Sequence, residues 1–304
     1  MRVPVFANPR SGSGRGMILA DQAAAALAAA DMGLHPQRVN IGPGLPAVDL
    51  VTTLSGAHAV VVAGGDGTLR SVAHAAIKTG TPVYHVPAGN ENLFAREFGM
   101  NRDMGRLIRA LARRRVLHAD VGWMTAGQNG PSEASPIMFL LMGSIGPDAS
   151  VVHRLHSLRN KASGHGAYLQ PILKEFARPA VARVKVWCDG VQVAEGRGMV
   201  VVANIAQYAL RINPCPEVHH ADGQLGVTFI PAETSVDTLT ALARLRARWP
   251  GPDVIQRRGR EIRIDTASEA HLQVDGEAVV ADLHAPQTVV ATTHPGTLAV
   301  IDAR

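Results

Sequence analysis

Apolar runs and helical stripes alternate along the first third of the chain. Residues 3–7, 37–41, 60–64 and 82–86 are short runs that read as strands, the first, third and fourth of them strongly apolar. Between them lie an alanine-rich stretch at 17–32, a strong helix former with Gly33 as its stop, and a second helix at 46–54. After Thr68, apolar residues Leu69, Val72, Ala73, Ala76 and Ile77 recur at helical spacing. A further helix is expected over 101–113, with Met104, Leu107, Ile108 and Leu111 on one face. Strand and helix in strict alternation predict a three-layer α/β domain: a mostly parallel sheet with helices on both faces.

Beyond about residue 116 the pattern changes. Candidate strands follow one another at 116–123, 137–142, 182–188, 198–203, 225–230, 261–265, 271–274 and 288–291. The segment 183–188 alternates polar and apolar residues, as a half-buried strand does. A hairpin loop is expected at 127–135 and helical insertions at 150–176 and 235–249. Many short strands with glycine and proline turns predict a β-sandwich. The expected domains are 1–119 and 120–304; the pattern leaves open which of them holds the last strand, 297–301.

Length and composition fit this division. At about 100–200 residues per domain, 304 residues make two. Hydrophobic residues form 46% of the chain, enough for real cores. The formal net charge of +5 favours an anionic partner. Basic residues are not interleaved with aromatics along a strand, so nucleic acid is not an expected partner. No apolar run reaches the roughly 18–20 residues of a membrane span, so any membrane contact would be peripheral. Two cysteines without a metal spacing, and an N-terminus without a signal-peptide pattern, make the cytoplasm the expected location, with contact at the inner face of an anionic membrane.

The candidate chemistry lies in the loops. Gly64, Gly65, Asp66, Gly67 and Thr68 join a buried strand to a helix start, where backbone N–H groups and the helix dipole favour phosphate. Leu69 and Arg70 complete that turn, and Asp66 adds a carboxylate for a phosphate-bound Mg²⁺. Asn8, Pro9, Arg10, Ser11 and Gly12 form a second glycine loop, and residues 87–96, with Asn90, a third. All three would lie at the carboxyl ends of the strands, where such sheets bind ligands. In the second half, Asp275 and Glu277 are two residues apart, so on an extended strand they face one side. An acidic pair of that kind can orient and deprotonate an attacking hydroxyl; the alternative is an ordinary β-turn. Zinc is a poor reading of His219–His220 or of His153 and His156, which lack matching ligands. Arg244, Arg246 and Arg248 with Trp249 read either as a solvated helix face or as a membrane-interface contact.

Taken as a set, these motifs resemble the diacylglycerol kinase catalytic-domain family of bacterial soluble lipid kinases, related to sphingosine and ceramide kinases. Residues 8–12 look like its first nucleotide loop, 64–68 match its signature, and 87–96 match its proline–glycine–threonine loop, with Asn90 in place of threonine. Residues 120–122, 143–152, Asn204, Pro214 and Asp222–Gly223 are similar to later family segments. Pro147, where an aromatic is usual, and residues 207–211, in place of a glycine cluster, depart from the pattern. Asp275–Gly276–Glu277 matches the catalytic motif. The resemblance implies ATP and Mg²⁺ as cofactors and a lipid such as diacylglycerol, phosphorylated at a primary hydroxyl, with Asp275 or Glu277 as the base. It also implies a structural Mg²⁺ held by backbone oxygens of His219 and Gln224 and the carboxylate of Asp222, and it is compatible with a homodimer. Substituting Asp66 or Asp275 by alanine is expected to abolish transfer with the fold intact. The alternatives are a nucleotide-binding regulator with degraded catalysis, and an NAD kinase.

Overall fold

The computed structural model describes residues 1–42, 44, 48–127, 135–147, 149–150, 181–208, 212–267, 270–279 and 286–304. The chain divides into two compact units, Met1–Asp120 with Gly296–Arg304, and Val121–Pro295. Residues 128–134 of the expected hairpin loop, most of the helical insertion at 150–176 with His153 and His156, and residues 209–211 lie outside the described residues.

In the first unit the elements are β1 (Arg2–Ala7), α1 (Arg15–Ala29), β2 (His35–Asn40), α2 (Leu50–Leu54), β3 (Val60–Gly64), α3 (Asp66–Thr79), β4 (Val83–Pro87), α4 (Leu93–Glu97) and α5 (Met104–Arg113). The strands lie in the order β2-β1-β3-β4, all parallel, and the C-terminal strand Gln287–Ile301 joins parallel to β4 through Val300 and Val83. Burial follows position. β3, in the middle, is buried at every residue, whereas edge strand β2 is not, and it carries Pro36, whose missing N–H an edge tolerates. Helix α3 buries the expected Leu69, Val72, Ala73 and Ala76. The chain leaves β1 toward β2 on one side, and later strands lie on the other. The carboxyl ends of β1 and β3 therefore form the topological switch point at which open α/β sheets bind ligands.

The second unit begins within β5 (Val116–Gly127). It continues through β6 (Ile137–Phe139), β7 (Met142–Ile145), β8 (Arg183–Cys188), β9 (Val191–Ala203), β10 (Leu225–Pro231), α6 (Ser235–Arg246), β11 (Ile255–Gly259), β12 (Glu261–Thr266), β13 (Leu272–Val274) and β14 (Glu277–Ala278), and ends within β15 (Gln287–Ile301). Two antiparallel layers result: β6-β5-β15-β12-β8-β9, and β14-β13-β7-β9-β10-β11. Strand β9 belongs to both. Its first half pairs with β8, and from Gly198 onward it pairs with β10 and β7. A Cβ at Gly198 would fall 2.3 Å from the carbonyl oxygen of Ile230, so only glycine lets the strand cross over there. Val184, Val186, Val200, Val202, Ile262 and Ile264 are among the residues of the buried core.

The expected strand 137–142 is two strands in different layers. At the break, the buried backbone of Leu140 and Leu141 needs partners outside a ladder. Asp275 accepts from the amides of Leu140 (2.9 Å), Leu141 (2.9 Å) and Met142 (3.0 Å). Asn204 donates its side-chain amide to Leu140 O (3.0 Å) and its backbone N–H to Leu141 O (2.8 Å).

Helix α6 carries a capping box at Thr234 and Asp237 and closes in a Schellman motif. The Arg248 N–H donates to Leu245 O and the Trp249 N–H to Arg244 O, with Arg248 at φ +60°. That position favours glycine. Arg248→Gly should therefore raise stability by roughly 0.5 kcal/mol, the relief of about 1–2 kcal/mol of left-handed strain less glycine's chain-entropy cost of about 0.5–1 kcal/mol. Denaturant unfolding of the purified variant measures it.

Candidate nucleotide and carboxylate sites

Four of the five helix N-termini in the first unit fall into two groups. α2 and α5 are capped by their own aspartates, Asp49 and Asp103. α1 and α3, which start at the switch point, have Gly14 and Gly65 as N-caps and no side-chain cap hydrogen bond. At α1 the Arg15, Gly16 and Met17 amides donate to Gly12 O, Ser11 O and Gly14 O, so that end offers an anion its dipole; at α3 the bonds begin with Thr68 N–H to Gly65 O, and the Asp66 and Gly67 N–H groups ahead of them remain donors for an anion. The helices are 15 and 14 residues long, enough for a full dipole at each end.

The three loops at this edge are knitted together. Asn8 donates its side-chain amide to Thr68 Oγ1 (3.1 Å), and Ser11 Oγ shares a hydrogen bond with the same hydroxyl (3.1 Å). Gly12, at φ +60°, lies so close to the third loop that a Cβ would fall 2.1 Å from Ala88 O. Ala88 N–H donates to Gly64 O (2.7 Å), and Asn92 closes the third loop by exchanging hydrogen bonds with Gly89. Among the expected nucleotide residues, Arg10 and Asn90 are exposed and Pro9, Gly65, Gly67 and Arg70 half-buried. Leu69 is placed in the helix interior. Its side chain is fully buried and its N–H is bonded to Gly65 O, so it packs the helix and has nothing left to offer a ligand.

Asp66 accepts from the amides of Leu93 (2.9 Å, Oδ2) and Phe94 (3.2 Å, Oδ1), and so caps α4 from another element. The side chain is 14% exposed. Each carboxylate oxygen retains a lone pair, so Asp66 fits a role beside a phosphate-bound Mg²⁺.

His85, on β4, went unnoticed in the sequence, although a histidine within a run of buried residues was a readable signal. It is fully buried. Nε2 lies 2.9 Å from Gly64 O; a carbonyl only accepts, so Nε2 carries the proton. Nδ1 has no hydrogen-bond partner and lies 3.9 Å from Asp66 Oδ1. Desolvation holds the imidazole below its usual pKa, against the opposing pull of Asp66 and the bond to Gly64. His85 is thus neutral in the fold, while the unfolded chain takes up its proton near pH 6.5. The stability it contributes is complete above about pH 6.5 and is lost as the pH falls below that value. Melting temperatures between about pH 7.5 and pH 5.5 should fall more steeply for the wild type than for His85→Gln.

In the second unit, Asp275 (φ +50°) and Gly276 (φ +77°) are the two turn residues of the β13–β14 hairpin, in which Val274 pairs with Glu277. The expectation that Asp275 and Glu277 share a strand face fails, because a two-residue turn with positive φ at both positions reverses the chain between them. Asp275 is buried and committed to the three amides of 140–142, whereas Glu277 is exposed.

The expected structural Mg²⁺ set lies in the turn around Asp222. Asp222 accepts from its own turn, from His219 N (3.1 Å) and Gln224 N (3.0 Å). Arg258 places a guanidinium 3.5 Å from Asp222 Oδ2, and a cation beside that oxygen would meet this charge. Among the described residues no group of three or more His, Cys, Asp or Glu side chains could hold a metal ion. Burial pushes the Cys215 thiol up to about 12, which leaves it inert.

An α/β unit continued by a β-sandwich is a fold shared by diacylglycerol kinase-like proteins and NAD kinases. A putative diacylglycerol kinase from Bacillus anthracis str. Sterne superposes with a TM-score of 0.71 at 20% identity, over 99% of this chain and 95% of that one. Yeast NADH kinase, complexed with NADH, superposes with a TM-score of 0.55 at 11% identity, over 99% and 82%. The sequence decides within this fold. The diacylglycerol kinase catalytic domain profile matches residues 2–124, and the YegS C-terminal NAD kinase beta sandwich-like domain profile matches 142–302. The chain belongs to the diacylglycerol kinase catalytic-domain family, in its YegS-like form. Relatives include a probable lipid kinase YegS-like protein of Pseudomonas putida, 28% identical over 78% of this chain and 80% of the relative. A diacylglycerol kinase of Mycobacterium tuberculosis is 25% identical over 92% and 88%.

Proposed function

We propose that this protein transfers the γ-phosphoryl group of ATP to the hydroxyl of a lipid such as diacylglycerol. The observation that carries the reading is the N-terminus of α3 at the carboxyl end of β3, which no side chain caps, held against the glycine loop that opens α1. The Asp66 and Gly67 amides at the start of α3, with the dipoles of α1 and α3, hold the phosphates, while Asn8, Ser11 and Thr68 fix the first loop against the second. Asp66 holds Mg²⁺ beside the phosphates; the bound ion supplies neutralisation of their charge. In-line attack requires a group to orient the hydroxyl and take its proton. Glu277 takes that role, because its carboxylate is exposed where that of Asp275 is committed to the backbone. Asp275 acts as the positioning residue of the hairpin.

Labelled ATP offered with diacylglycerol, sphingosine, ceramide, NAD or no acceptor tests the reading. Label is expected in the diacylglycerol product. Label in NAD alone would make the protein an NAD kinase, and ATP binding without transfer to any acceptor would make it a regulator.

A further inference from the structure

The end of helix α6 takes no part in the chemistry above. Residues 238–252 contain Arg244, Arg246 and Arg248 and no acidic residue. All three arginines are exposed, and Trp249 is 70% exposed. In a Schellman closure the residue at the Trp249 position commonly packs an apolar side chain back onto the helix. Here its neighbour is instead the Arg244 guanidinium, 6.0 Å from the centre of the indole ring, and most of the ring stays in water. Arg248 sits in the left-handed conformation that glycine would occupy at lower cost. The turn therefore accepts backbone strain and leaves a large apolar surface outside, so that one indole and three guanidinium groups stand together at a helix end.

The other arginine-rich helix, α5, has no aromatic residue in its sequence.

Indole rings favour the headgroup level of a bilayer, and each arginine near an anionic leaflet adds attraction. We propose that the α6 C-terminal turn docks on an anionic phospholipid bilayer, with Trp249 at headgroup level and Arg244, Arg246 and Arg248 against lipid phosphates. Charge argues for this occupant over a second copy of the chain. A two-fold contact of the turn with itself would bring six arginines together without an acid from either stretch. The proposal concerns binding alone and does not depend on the transfer reaction.

The full chain is sedimented, without nucleotide, with vesicles of phosphatidylcholine alone or mixed with phosphatidylglycerol, and tryptophan emission is recorded in parallel. Binding to the mixed vesicles is expected, with a blue shift of emission and weakening by salt; pure phosphatidylcholine should bind far less. Trp249→Ala should lose the shift while Trp123 and Trp187 still emit. Replacing the three arginines by glutamine should weaken binding by roughly fivefold per arginine. Arg248→Gly keeps the turn in its preferred geometry and should still lose about fivefold, which a purely structural role would not produce. Wild-type binding by both the Trp249→Ala and the triple-glutamine variants would overturn the proposal, as would no binding by the wild type. A concentration-dependent dimer abolished by Trp249→Ala would also overturn it, giving the surface to a second copy. Turnover of detergent-dispersed diacylglycerol should be the same in Trp249→Ala as in the wild type. That measurement separates failure of the docking surface from failure of the kinase reading.

Discussion

Asp66→Asn is expected to lower ATP-dependent lipid phosphorylation by about a hundredfold to a thousandfold, the scale of losing one preorganised electrostatic contact to a reacting group. Two effects combine. The charge that complements a phosphate-bound cation disappears. The carboxylate that caps α4 through Leu93 and Phe94 becomes an amide, whose oxygen can accept one of those N–H groups while its own NH₂ confronts the other. Loss of such a cap costs about 1–2 kcal/mol, so the variant should fold at room temperature with a lowered melting point. Labelled-phosphate transfer and thermal unfolding read the two effects separately. Unchanged turnover would remove Asp66 from the site.

The hairpin carboxylates should respond in opposite ways. Asp275→Ala leaves three buried amides without an acceptor. At about 1–3 kcal/mol for each unsatisfied group, softened by relaxation, it should cost at least about 3 kcal/mol and leave little folded protein at elevated temperature. This reverses the expectation that the substitution spares the fold. Glu277→Gln alters an exposed side chain and should leave stability within about 0.5 kcal/mol of the wild type. Its phosphorylation rate should fall by about a hundredfold to ten-thousandfold, the usual contribution of a general base. Denaturant titration of both variants, with kinetics of the second, tests the division of labour. A stable, inactive Asp275 variant beside an active Glu277 variant would exchange the roles.

The α/β half was legible because its signals are local. The buried run of β3, the glycines and the periodic face of α3 are contiguous, and each element lay within a few residues of expectation. The sandwich was legible in kind but not in detail. β11 was missed because an edge strand reading Ile-Gln-Arg-Arg-Gly has no apolar alternation. β9 and β15 run longer than expected because polar and glycine-containing stretches continue the ladder. The break between β6 and β7 depends on Asp275, far away in sequence, capturing three amides. The same long-range bonds hid the true character of Asp275: spacing reports a face only while the strand stays extended. The arginine beside Asp222 likewise comes from a strand more than thirty residues on. The phosphate loops could be found by composition. That Asp66 caps α4, and that His85 lies beneath it, are facts of packing.

Strand β9 has a mechanical consequence. Its backbone is bonded into one layer along its first half and into the other along its second, with the exchange at Gly198. Peeling either layer away would tear the ladder that the other shares. The two should therefore melt in one transition rather than in sequence. A bulkier residue at Gly198 would injure both, and hydrogen exchange would reveal this as matched loss of protection in β8 and β10.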